Sequence, residues 1–84
     1  MPVISRFYGM LVKMYFRDSE HNPPHIHIIY GDYIGVINLN TLEMEQGDLP
    51  VKAYRIAREW TQQNQAALLD MWNTGNIKEL PPIV

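Results

Sequence analysis

The chain is predicted to form an α+β fold, an antiparallel β-meander of about four or five strands with one long C-terminal α-helix packed on one face. Two patterns predict it. Before residue 47, apolar and polar residues alternate in short runs broken by Gly, Asn and Asp, whereas after it apolar residues return at three- and four-residue steps. Eighty-four residues with 46% hydrophobic and 11% aromatic content suffice for one compact core and leave little room for a second. The chain therefore reads as a single domain, 1–84.

Ile4 to Tyr8 suits a short first strand, closed by Gly9. In Leu11 to Arg17, Val12, Met14 and Phe16 share one face while Lys13, Tyr15 and Arg17 share the other. Asp18-Ser19-Glu20 makes a polar turn. Ile26 to Tyr30 is β-branched and aromatic and reads as a strand that also carries His25. Gly31-Asp32 suits a type II′ hairpin with glycine at the first turn position. Pairing outward from Tyr30 and Tyr33 sets Ile28 opposite Gly35, Ile26 opposite Ile37, His27 opposite Val36 and His25 opposite Asn38.

Asn40-Thr41 turns the chain into a shorter last strand, Leu42 to Gln46. Gly47-Asp48-Leu49-Pro50 is a helix-start signal in which Asp48 can cap free amides and Pro50 fits the first turn. The helix runs to about Asn73 on the stripe Ala53, Ile56, Ala57, Trp60, Ala67, Leu68, Met71 and Trp72, with Gly75 as its stop. At about 1.5 Å per residue it would exceed 30 Å, longer than typical strands of about 20 Å, so it overhangs the sheet or breaks, best in Gln62-Gln63-Asn64-Gln65. The tail from Ile77 is expected to lie extended along the domain. Ile26, Ile28, Ile37, Ile56, Trp60 and Leu68 should share one core.

The chemistry-bearing stretch is His21-Asn22-Pro23-Pro24-His25-Ile26-His27, which holds all three histidines. The prolines stiffen the approach to the strand. Strand alternation turns His25 and His27 to one face, about 6.5–7 Å apart at Cα, where His21 can fold back to meet them. Two chemistries fit. His21, His25 and His27, with Asp18 or Glu20 nearby, could hold a divalent metal such as zinc and leave a position open for water. Without metal, one histidine takes a proton and another gives one in phosphodiester cleavage, with Lys13 or Arg17 steadying the developing charge and Tyr15 on the same face. The competing reading is structural: the prolines turn a corner, and the rings tile a half-buried sheet face, bonded to backbone, Tyr15 or Asn38.

The absence of cysteine excludes disulfides and thiolate zinc sites. No apolar run approaches the roughly 20 residues of a membrane span, and the N-terminus lacks a signal pattern, so a cytoplasmic protein is expected. A formal net charge of −2 argues against broad adhesion to nucleic acid, although a local basic patch can still hold phosphates. Lys52, Arg55 and Arg58 on the helix are read as a solvated face and Trp60 and Trp72 as core.

The run Pro2 to Gly9, Met14-Tyr15-Phe16, the His21-x-Pro23-Pro24-His25-x-His27 motif with Tyr30-Gly31 behind it, Gly47-x-Leu49-Pro50 and Glu59-Trp60 together resemble the family called domain of unknown function 4160. The resemblance covers nearly the whole chain, and its histidine-proline motif is specific. It implies the toxin-like component of a two-gene bacterial toxin-antitoxin module, with a small antitoxin-like protein encoded nearby. It maps the motif onto His21, Pro23, Pro24, His25, His27 and Tyr30. Most members carry an aromatic residue where this chain has Ile26. Two classes follow: a histidine-dependent or metal-dependent hydrolase or nuclease working on RNA or another phosphate-containing substrate, or a non-enzymatic protein-binding module with structural histidines. The apolar end of the helix, at Leu69 and Trp72, is expected to meet that partner or a second copy as a homodimer.

Overall fold

The computed structural model describes residues 3–14 and 23–83. Among these residues five strands, β1 (Val3–Phe7), β2 (Met10–Lys13), β3 (His25–Tyr30), β4 (Tyr33–Asn38) and β5 (Met44–Gly47), form one antiparallel sheet in sequential order. Two helices follow, α1 (Val51–Gln63) and α2 (Gln65–Thr74). The α+β meander is as expected. The single long helix is not.

The helical region breaks at Asn64, inside the polar run where a break was expected. Asn64 sits at φ −114° and ψ 15°, and its Nδ2 donates to the Trp60 carbonyl at 2.9 Å. One turn earlier, Thr61 Oγ1 donates to the Ala57 carbonyl at 2.7 Å. Side chains that bond back to helical carbonyls offer the backbone an alternative to the ladder, and here they end it. Gln65 then donates from Nε2 to the Leu39 carbonyl at 2.6 Å, tying the start of α2 to the end of β4. Gly75 closes α2 in the left-handed region at φ 74°.

The register follows from the turns. Tyr30 pairs with Tyr33, Ile28 with Gly35, Ile26 with Ile37, His27 with Val36 and His25 with Asn38, as the two-residue hairpin requires. Positive φ falls on Gly31 and not on Asp32, which suits type II′. The first hairpin differs: Tyr8 and Gly9 both take positive φ, 52° and 74°, as a type I′ turn demands, and join Phe7 directly to Met10. Gly35 is a close-packing glycine, since a Cβ there would lie 2.9 Å from Met44 Sδ and 3.0 Å from Leu49.

One boundary and one cap differ from expectation. Leu42 is a buried turn residue at φ 65° rather than a strand residue, and its N–H donates to the Asn38 carbonyl at 2.8 Å. The last strand therefore starts at Met44. Asp48 does not cap α1 with its side chain; its backbone N–H donates instead to the Ile34 carbonyl at 3.0 Å.

One face of the sheet carries the core. Ile4, Met10, Val12, Ile26, Ile28 and Ile37 meet Ala53, Ala57, Trp60 and Leu68, while Ile56 packs from its rim. Phe7 and Trp60 rings lie 5.4 Å apart. The tail is extended, as expected: Leu80 N–H donates to the Ile4 carbonyl at 2.8 Å, and Trp60 Nε1 donates to the Pro81 carbonyl at 2.9 Å. Among the described residues no helix is long and apolar enough to cross a membrane.

Candidate functional site

Cross-strand neighbours in an antiparallel sheet share a face. On the face away from the core, Val3, Lys13, His27, Val36 and Gln46 form one row across all five strands. His25 and Asn38 lie in the row on one side, and Arg6, Leu11, Ile29 and Ile34 in the row on the other. Lys13 is thus the direct cross-strand partner of His27. The His25 and His27 rings meet edge to face, with centroids 5.3 Å apart at 74°.

His25 is held from two further sides. Its Nδ1 lies 2.8 Å from the Pro23 carbonyl oxygen. A carbonyl can only accept, so this bond places a proton on Nδ1 and leaves the lone pair of the neutral ring on Nε2. The stiff Pro23-Pro24 corner is what brings that oxygen to the ring. On another side the Trp72 ring of α2 stands 5.0 Å from the imidazole at 53°. The helical region therefore reaches the histidine row, a contact that strand alternation does not predict. Asn38 does not serve the imidazole through its Oδ1, which accepts from Asn40 N–H at 2.7 Å and Thr41 N–H at 3.1 Å and so builds the turn after β4.

Of the expected site residues, the structure brings together His25, His27 and Lys13. Tyr15, Arg17 and His21 lie outside the described residues. The expectation of a divalent metal such as zinc is corrected: among the described residues no group of three or more His, Cys, Asp or Glu side chains could hold a metal ion. The physical reason is in the rows themselves. The residues paired with His25 and His27 include no carboxylate, and the nearest charge across the ladder is the Lys13 ammonium, a competing cation.

Arg6 and Trp72 are further members of this neighbourhood. The alternation does not reveal Arg6, because the register of β1 shifts between Val3 and Ser5, which leaves Ile4 and Ser5 both buried and Arg6 exposed on the histidine face. Trp72 sits on the apolar helical stripe, and no local pattern links it to a strand forty-seven residues earlier.

A family model described as domain of unknown function (DUF4160) matches residues 9–73. No curated protein and no solved structure matches the chain.

Proposed function

Because the chain belongs to the family of domain of unknown function DUF4160, we propose that it is the toxin-like component of a two-gene bacterial toxin-antitoxin module, acting through its histidine face on RNA or another phosphate-containing substrate. The observation that carries this reading is the packing of His25 against His27, with Lys13 directly across the ladder. His25, whose Nδ1 is committed to Pro23, takes a proton from the attacking hydroxyl through Nε2. His27 gives a proton to the departing oxygen. Lys13 and Arg6 steady the charge that develops on phosphorus oxygens, and Tyr15 and Arg17 join them by sequence alternation. The antitoxin-like neighbour silences the site by covering this face.

The second reading is a non-enzymatic protein-binding module, supported by the contact of His25 with Trp72, which gives that ring a packing role. Induced expression separates the two. The toxin reading expects growth arrest that His27→Ala and Lys13→Ala abolish while both variants keep the wild-type unfolding midpoint, and that co-expression of the neighbouring small protein relieves. Arrest unchanged by either substitution would leave the binding module standing.

A further inference from the structure

At the turn end of the sheet three tyrosines line up, among them Tyr30 at the far end of the strand that carries His25 and His27. Tyr8 and Tyr30 ring centroids are 6.0 Å apart at 22°, and Tyr30 and Tyr33 are 6.4 Å apart at 22°. Contacting carbon atoms lie about 3.5–4.0 Å apart, so near-parallel rings with centroids at 6 Å are slipped sideways by roughly 5 Å, close to a ring's width. They tile side by side, with Tyr30 between the other two and packed against the core. Tyr8 and Tyr33 are each 44% exposed, and the Tyr30 ring rests on Gly9, where a Cβ would meet it at 3.4 Å.

The surroundings carry charge and a recess. The Lys52 ammonium stands 6.0 Å from the Tyr8 ring centroid. Arg55 and Arg58 are also exposed on α1, and the first turn of that helix has no acidic residue. Beside Tyr8, a cleft of about 360 Å³ is lined by Phe7, Tyr8, Ile56, Glu59 and Ile83. The opposing charges include Asp32 in the turn, Asp48, whose N–H donates to the Ile34 carbonyl beside Tyr33, and Glu59 at the cleft.

We propose that this tyrosine platform binds single-stranded nucleic acid, with bases stacked on the exposed Tyr8 and Tyr33, which Tyr30 backs, a phosphate at Lys52, and one base in the cleft beside Tyr8. Exposed aromatic rings next to a cation match an alternation of flat bases and anionic phosphates, and every base can stack, so the surface would hold strand rather than read sequence. Glu59 accepts a hydrogen bond from an N–H of the recessed base, which in uracil is N3–H. The inference deepens the proposed function by naming the strand its substrate class offers, but binding is measured without turnover.

The test is fluorescence anisotropy of the full chain with a labelled oligouridylate of about 12 nucleotides, within the span that small single-strand binding folds cover. Tyr33→Ala is expected to weaken binding about tenfold, Tyr33→Phe to bind within about twofold of wild type, and Lys52→Gln to lower the salt slope by about 0.7. Because alanine could loosen the hairpin, wild-type protein is also photocross-linked to the same oligomer carrying 5-iodouridine, with adducts expected on Tyr8, Tyr30 or Tyr33. Wild-type affinity in Tyr33→Ala, equal binding of duplex, adducts confined to other residues, or a dimer that Tyr33→Ala dissociates and RNA does not would each overturn the platform. If the platform binds but expression never arrests growth, the proposed function fails and this inference stands.

Discussion

His25 is the residue at which stability and chemistry can be separated by one pair of substitutions. A histidine on a plain solvated sheet face would contribute about 0.5 kcal/mol or less. The structure holds this ring by the Nδ1 bond to the Pro23 carbonyl and the contact with Trp72. A net hydrogen bond contributes about 0.5–1.5 kcal/mol and an aromatic contact a similar amount, so His25→Ala should cost about 2 kcal/mol. For a domain of this size that is a fall of about 8–16 °C in Tm. Asparagine places a side-chain amide near the position of Nδ1, so His25→Asn keeps the donor to Pro23 and loses the ring. It should recover about 1 kcal/mol relative to alanine, yet still lose any activity that depends on Nε2. Urea denaturation of the three proteins, followed by circular dichroism, measures the gaps, and growth on induction measures activity. An alanine variant within about 0.5 kcal/mol of wild type would refute the account of how the ring is held.

Gly47 lies at φ 82°, where a Cβ would collide with the Ile34 carbonyl oxygen, whereas Gly31 at φ 58° has open space around it. Gly47→Ala should therefore lower Tm at least twice as far as Gly31→Ala, which carries only the left-handed penalty of about 1–2 kcal/mol; equal falls by scanning fluorimetry would contradict this. Gln65→Ala removes the bond to the Leu39 carbonyl and should cost about 1 kcal/mol. Hydrogen exchange should then quicken in α2 more than in α1, and uniform acceleration would show that the side chain does not anchor that helix. Trp60→Phe keeps an aromatic ring in the core but cannot donate to Pro81. Limited proteolysis should cut the tail faster in that variant, and an unchanged cutting rate would assign the tail's attachment elsewhere.

The hairpin between β3 and β4 was legible because a two-residue Gly-Asp turn admits one register, and period-two alternation then fixes every pair from Tyr30–Tyr33 to His25–Asn38. The helix break was legible only as a place, since a polar run marks where burial stops but not that Asn64 and Thr61 bond back to the ladder. The first hairpin was harder to read because Tyr8, a bulky residue, occupies a left-handed turn position that glycine or asparagine usually signals. The same limit applies at the site. Lys13 and His27 meet through strand alternation and local pairing, which sequence carries, while Trp72 and the Pro23 carbonyl reach His25 through tertiary packing and a loop's path, which it does not.

The tail that runs beside β1 also sets the geometry of association between copies. A sheet with two bare edges can extend in both directions, each added copy offering a fresh edge to the next. Here Leu80 occupies one edge by bonding to Ile4, while β5, among the described residues, has a strand neighbour on one side only. Edge-to-edge growth would thus favour a pair: two copies joined through β5 leave outward only their β1 edges, where Leu80 already holds the Ile4 carbonyl.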